Sequence, residues 1–457
     1  MPRFSTDEII KATGAAVSGS RDLVFSDVTT DTRTVEKGAL FIALKGERFN
    51  GEDFLGKAQE AGAAGVLVSN GCGTEKTEGL SIPVLCVPDT LKAYQQIAHA
   101  WREKFSLPVV AITGSNGKTT TKDLTASVLG ANFPVLRTEA NFNNEIGLPK
   151  TLLGLRPEHR AAVVEIGMRG LGQIAALAPF AAPTVGVVTN VGETHIELLG
   201  SIENIAKAKA EMVEALPAGG TAVLNADDPM VLAMREKAGS GVSVVTFGES
   251  EGADVRGAEI VQEGMESRFI ATFPGGKKQS YRLPLPGHHN ISNALAALAV
   301  GHALGLSPGA MEAGLEAPAM SGARFACEKR GDVTIINDAY NASPLSMSAA
   351  IRTMKEIAEG RRVAVLGDML ELGDVAKAAH RRVGEELAKS GAAVLVTRGP
   401  LGEEIAAGAE SAGMTEVYRC ASHEEAAAKL KEILRPGDTV LFKGSHGMQM
   451  DKIIELL

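Results

Sequence analysis

The chain has 457 residues, which at roughly 150 residues per domain argues for about three domains. Its 45% hydrophobic and 22% charged residues give the balance of a packed globular protein and exclude a disordered one, while 51 glycines without a three-residue period exclude collagen. Lys plus Arg number 46 against 55 Asp plus Glu, a net charge of -9, so a general nucleic-acid binder is excluded, although backbone amides and single lysines can still hold anions locally.

The N-terminal run MPRFSTDEII has no apolar segment after Arg3 and does not read as a signal peptide. The longest apolar stretch, residues 294–306, contains His302 and is too short to span a bilayer. Cys72, Cys86, Cys327 and Cys420 lie far apart with no CxxC spacing. Buried reduced thiols and a cytoplasmic location are expected, with no cysteine metal cage.

In chain order, residues 1–90 mix short apolar runs (39–44, 65–68 and 83–87) with glycine-rich turns, as in a small α/β domain. Residues 91–105 have the spacing of an amphipathic helix leading into a second block. There, buried strand and helix alternate: LPVVAIT, a helix over 118–129, AAVVEIG, TVGVVTN, and a helix over 201–216. Such alternation predicts a mostly parallel sheet covered on both faces. Residues 252–286 turn strand-like and turn-rich, a small β insertion, and a helix follows from about Asn290. From residue 321 a further alternation (VTIIND, RVAVLGD, AAVLVT, TVLFKGS, with a helix over 375–390) predicts a C-terminal Rossmann-like α/β domain. The expected fold class is therefore α/β in three domains, 1–90, 91–320 and 321–457.

The strongest local signal is VVAITGSNGKTTTKDL, residues 109–124. A buried strand, a glycine-rich turn and a helix aim successive N–H groups and a positive helix end at a phosphate. Lys118 neutralises charge and the Thr119 hydroxyl can ligate Mg²⁺. Ile112 stands where the full Walker pattern has Gly, so Gly114-Ser115-Asn116-Gly117-Lys118-Thr119 is a shortened variant. A plain strand-to-helix turn is the bland alternative, and nucleotide binding is preferred to it.

Glu165 ends AAVVEIG, where a carboxylate is either a metal ligand or a loop cap; beside a phosphate loop, Mg²⁺ is favoured. His195 in NVGETHIE reads as a satisfied polar residue or as part of an acidic turn with Glu193 and Glu197. Lys209, with Lys207 and Glu211 nearby on an amphipathic helix, reads on composition as a solvated face. Asn290 falls near a helix N-cap and Asn293 in the first turn. Arg324 and the run NDAYNASPLSM, residues 337–347, suit polar contacts to a ligand in a cleft.

Taken together, TGSNGKTTTKD, TEANFNNEIGLP, EIGM, NVGETHIE, the lysine of AKAKAEM, HHNISNALAA, Arg324 and NDAYNASP stand in the order seen in the Mur ligases, and the sequence resembles that family over its whole length. These are ATP-dependent amide-forming enzymes of peptidoglycan precursor synthesis. DAYNASPLSM, LGDMLELG (366–373) and KGSHGMQMD (443–451) are similar to the branch that adds D-alanyl-D-alanine to UDP-N-acetylmuramoyl-tripeptide. Residues 31–54 resemble a UDP-binding domain, and the aspartate–asparagine–proline–arginine run of the diaminopimelate-adding branch is absent. Ser343, His446 and Asn50 depart from the Asn, Arg and Asp usual in the family, which bears on details of the dipeptide or nucleotide contacts.

The resemblance implies a mechanism. Residues Gly114 to Thr120 would cradle the ATP phosphates, and the γ-phosphoryl would pass to the carboxylate of the UDP-linked peptide. The amine of D-alanyl-D-alanine would then attack the acyl phosphate. It implies two Mg²⁺ ions, on Thr119, Glu165, His195 and a carbamylated Lys209. Asn290 and Asn293 would face adenine, with Arg324 and Asp338 reaching phosphates and ribose. Asn143 and Asn144 would line the γ-phosphate and acceptor side, with Thr32, Arg33 and Gly46 toward the UDP-sugar. Tyr340, Asn341 and Ser343 would lie on the dipeptide side. A monomer without a membrane segment is expected. The competing readings are a sister ligase that adds diaminopimelate, lysine or glutamate, and a P-loop regulatory ATPase.

Overall fold

The computed structural model describes residues 2–46, 49–69, 74–321 and 325–457. The chain divides into two compact units. The first comprises Met1–Ala111, Phe133–Ile166 and Ala176–Pro183; the second comprises Ile112–Asn132, Gly167–Ala175 and Thr184–Leu457.

In the first unit, strands Val28–Thr29, Leu40–Ile42, Gly65–Ser69 and Val84–Val87 pair in parallel, and Ala16–Ser18 adds an antiparallel edge. The middle strands are mostly apolar, and on one face Phe41, Val66 and Val68 pack on Leu55 and Ala58. The helix expected over 91–105 spans Thr90–Arg102, with the Asp89 carboxylate accepting from the Leu91 and Lys92 amides as an N-cap. It stops early because the buried Arg102 guanidinium turns back to donate to the carbonyls of Phe105 and Leu107, and also to Ala181. A second parallel pair, Val135–Arg137 with Ala161–Glu165, carries Glu165 at its C-terminal end.

In the second unit, Val185–Val188, Thr221–Asn225, Ser243–Gly248 and Val255–Glu263 run in parallel. Glu266–Thr272 and Lys278–Leu283 then continue the same sheet as antiparallel strands, so the turn-rich stretch 252–286 is its edge. The helix expected from about Asn290 begins two residues earlier, spanning His288–Ala303. Gly287 takes the N-cap place with φ +91, and a Cβ there would come 2.3 Å from the Thr353 hydroxyl. Asn290 is therefore inside the first turn and is not the cap.

The remainder of this unit is a six-stranded sheet in the order Ala326–Arg330, Val333–Asp338, Thr439–Lys443, Arg362–Gly367, Val394–Arg398, Glu416–Cys420, parallel except for the first strand. The first and last of these are polar edge strands that the apolar-run reading missed. The predicted helix 375–390 spans Ala376–Lys389. No helix among the described residues is long and apolar enough to cross a membrane. Cys420 is buried, but Cys86 and Cys327 are only half-buried, short of the full burial expected; all three are free thiols. Cys72 lies outside the described residues.

Helices Ala376–Lys389 and Gly402–Ser411 cross at two glycines. A Cβ on Gly384 would lie 1.9 Å from the Ile405 carbonyl, and one on Gly408 2.1 Å from the Arg381 carbonyl. Gly384→Ala gains up to about 1 kcal/mol of helix propensity but overpacks backbone against backbone, which costs about 1–3 kcal/mol. Urea denaturation should show net destabilisation. Gly130→Ala, at a helical site with open space around it, should be neutral or stabilising in the same assay.

Candidate active site

The loop after Val109–Thr113 is built by its neighbours in the second unit. Gly114 has φ +147, and a Cβ on it would sit 1.9 Å from the Thr189 hydroxyl oxygen. Gly117, φ +78, caps helix Lys118–Gly130, and a Cβ there would meet Asn293 Oδ1 at 2.4 Å. Only glycine fits either place. Between them Asn116 is clasped from behind. Its N–H donates to Asn190 Oδ1 at 2.8 Å, and its carbonyl accepts from Thr189 Oγ1 at 2.6 Å and Asn190 Nδ2 at 3.1 Å. The Ser115 amide donates to the Asn190 carbonyl, and its hydroxyl exchanges hydrogen bonds with Gly192.

Lys118 folds over this loop, Nζ donating to the carbonyls of Gly114 (2.9 Å) and Ser115 (3.2 Å). Thr119 and Thr120 are buried in the first helical turn. Asn290 and Asn293 are buried beneath it: Asn293 Oδ1 accepts from the Thr121 hydroxyl, and Asn290 Nδ2 donates to the Pro286 carbonyl.

Lys209 settles on the inner side of helix Ile202–Glu214, 2% exposed, while Lys207 faces outward. Its solvated-face reading is therefore replaced, because Ile205, Met212 and Val213 pull that face inward. Burial, and then the Lys118 charge, hold its pKa well below that of an ordinary lysine. Among the described residues it has no hydrogen-bonded or ion-paired partner. His195 also has its pKa lowered, by burial first, against the opposing pull of Glu371, with Lys118 and Lys209 adding to the lowering. The Lys118 charge acts on both Lys209 and His195, and Lys209 on His195, which groups the three electrostatically.

In the same unit, Ser343 caps helix Pro344–Ile357 and its hydroxyl donates to Asn116 Oδ1 at 2.8 Å, which brings the NDAYNASP turn onto the phosphate loop. Lys443 Nζ, buried, holds that turn through Asp338 Oδ2 (2.5 Å) and the Asn341 carbonyl (3.0 Å). The Tyr340 and His446 rings lie 5.7 Å apart. Burial pushes neighbouring His289 down to about 4. Arg324 lies outside the described residues.

In the first unit, Glu165 is 2% exposed; its amide donates to the Thr138 hydroxyl and its Oε1 accepts from Asn143 Nδ2 at 2.7 Å. Asn144 caps the following turn by accepting from the Ile146 and Gly147 amides. Arg33 is ion-paired to Asp31, Thr32 opens the short turn Thr32–Thr34, and the Gly46 amide donates to the Phe49 carbonyl.

Thr189, Asn190, Lys443 and Glu371 were missed by sequence reading. The polar ending of TVGVVTN was the available signal for the first two; the others become visible only through their partners. Among the described residues no three His, Cys, Asp or Glu side chains converge on a metal-sized gap. The Thr119 hydroxyl and the Glu165 carboxylate, which Asn143 holds, are oxygen donors of the type that Mg²⁺ takes one or two at a time.

Three families match the chain: Mur ligase family, catalytic domain, over residues 24–102; Mur ligase middle domain over 112–301; and Mur ligase, glutamate ligase domain, over 323–446. The chain is 39% identical to the UDP-N-acetylmuramoyl-tripeptide--D-alanyl-D-alanine ligase of Synechocystis sp., covering 96% of this chain and 93% of that one. It is 37% identical to the ligase of the same name from Bacillus subtilis, with 98% and 96% covered. Among solved structures, MurF from Acinetobacter baumannii superposes with a TM-score of 0.91 at 31% identity, covering 100% of this chain and 98% of that chain. MurF ligase from Thermotoga maritima in complex with ADP gives 0.83 at 27% identity, with 94% and 96% covered. With family matches from residue 24 to residue 446 and near-full-length relatives at 39% and 37% identity, the chain belongs to the Mur ligase family.

Proposed function

We propose that this protein is an ATP-dependent ligase that joins D-alanyl-D-alanine to UDP-N-acetylmuramoyl-tripeptide, yielding the pentapeptide precursor of peptidoglycan, ADP and phosphate. The observation that carries the reading is near-full-length similarity, at 33–39% identity, to ligases bearing that name, joined to a loop built for phosphate. In this reading residues 1–90 take the UDP-linked peptide, 91–320 bind ATP, and 321–457 bring the dipeptide and close over the nucleotide.

Phosphoryl transfer needs positioning and charge neutralisation more than covalent help. The loop amides and helix end receive the phosphates, and Lys118, tethered by Gly114 and Ser115, holds its charge at the β/γ position. Mg²⁺, when bound, draws charge from the phosphate oxygens. Thr119, Glu165, His195 and Lys209 are the residues proposed to hold it, in two places. Asn143 steadies the Glu165 carboxylate for this task. Burial and the Lys118 charge lower the pKa of Lys209, which favours the neutral amine, the form that adds carbon dioxide with loss of a proton. A carbamate on Lys209 would put an anionic oxygen donor where the unmodified side chain has none. Asn290 and Asn293 are assigned to adenine, Arg324 and Asp338 to the phosphates and ribose. Thr32, Arg33, Gly46 and Asn144 go to the UDP-peptide side; Tyr340, Asn341 and Ser343 go to the dipeptide. The proposed site of action is the cytoplasm, as a monomer.

Phosphate release from ATP with UDP-N-acetylmuramoyl-tripeptide should depend on added D-alanyl-D-alanine. Equal release without an acceptor would make the protein an ATPase, and release driven by diaminopimelate would make it a sister ligase. Lys118→Ala should lower kcat at least ~100-fold with the melting temperature unchanged. Lys209→Ala should be nearly inactive and recover in part with acetate or formate, whereas Lys207→Ala should match the unsubstituted enzyme. Rescue of Lys207→Ala in place of Lys209→Ala would remove the carbamate from the mechanism.

A further inference from the structure

The LGDMLELG run marks the branch of the family but has no task in the mechanism above. Glu371 within it is bonded on three sides in the second unit. One carboxylate oxygen meets His195 Nδ1 and the other meets the Arg169 guanidinium. Its own carbonyl accepts from the Glu197 amide at 3.3 Å. Both His195 (φ +59) and Glu371 (φ +62) adopt the left-handed backbone that residues with a Cβ seldom take. Such conformations persist where surrounding contacts over-determine them. Two of them bonded to each other, from segments 176 residues apart in sequence, form a specific junction.

We infer that Glu371 is a positioning residue for His195, fixing the tautomer and rotation of the imidazole from the C-terminal segment. A carboxylate only accepts, so the ring hydrogen must sit on Nδ1, and Nε2 keeps its lone pair. A histidine that binds a metal characteristically hands its other ring N–H to a carboxylate in this way. The inference rests on the proposed role of His195 as a metal ligand. It adds that this ligand is set correctly only when the loop 368–373 is docked, so the C-terminal segment contributes to the metal site without touching it. Arg169 holds the second carboxylate oxygen and keeps Glu371 from rotating away.

The test compares full-length Glu371→Ala, Glu371→Gln, His195→Ala and Arg382→Ala. Arg382 makes another contact between the same segments, to Glu193 at 3.1 Å, and reports on docking alone. Glu371→Ala should lower kcat about 10- to 100-fold and raise the Mg²⁺ concentration for half-maximal rate, with KM for the dipeptide little changed. Glu371→Gln, which still accepts from Nδ1–H, should recover most of the rate. In metal-free protein labelled with ¹⁵N-histidine, the ring signals lost in His195→Ala should report Nδ1–H in the unsubstituted chain and in Glu371→Gln, and a shift toward Nε2–H in Glu371→Ala. Unchanged rate and tautomer in Glu371→Ala, or an equal loss in Arg382→Ala, would overturn the inference. An inactive His195→Ala beside a fully active Glu371→Ala sinks the inference and leaves the proposed function standing. A fully active His195→Ala removes His195 from the metal site in both.

Discussion

Asn116 sits in the loop proposed to hold phosphate, where two demands meet: the front must stay bare for a ligand, yet the loop must be rigid. The chain meets this by gripping the loop from behind. Thr189 and Asn190, just past strand Val185–Val188, take both the N–H and the carbonyl of Asn116. That grip brings the Thr189 hydroxyl so near that only glycine fits at 114, and Asn293 imposes the same demand at 117. Helix Lys118–Gly130 then starts in a fixed direction, and Lys118 falls over the loop carbonyls. The Asn116 side chain, left over, becomes the acceptor for Ser343, so one residue also fixes where the C-terminal segment touches the loop.

Positive groups crowd the neighbourhood of this loop. Lys118 disfavours charge on Lys209 and on His195, and Lys209 on His195, in a setting where burial already does so. The -9 net charge of the chain says nothing about this, because the potential at a phosphate loop is set locally by amides, a helix end and a lysine.

The C-terminal sheet prepares its own contribution before any ligand arrives. Lys443, from the end of the neighbouring parallel strand, pairs with Asp338 and with the Asn341 carbonyl. It thereby shapes the turn whose next residues reach Asn116. Here too the sheet places chemistry at the carboxyl ends of adjacent strands, where parallel topology leaves a crevice.

The sequence by itself determined the strand–loop–helix at residues 109–124 and the alternation that makes parallel sheets, whereas Lys209, whose composition read as a solvated face, is turned inward by packing. The first two are local matters of backbone propensity and periodicity, and they survive being read one segment at a time. Helix His288–Ala303 shows where that reading slips: the polar Asn290 invited a cap, but Gly287 could take a backbone conformation that no other residue tolerates there. Only the tertiary structure decided that Thr189 and Asn190 clasp the loop, that Lys443 pairs with Asp338, and that Glu371 meets His195. Each of those pairs joins residues some 70 to 180 positions apart. Their geometry depends on which strands lie side by side, and that is set by the packing of whole sheets, which no local pattern of residues encodes.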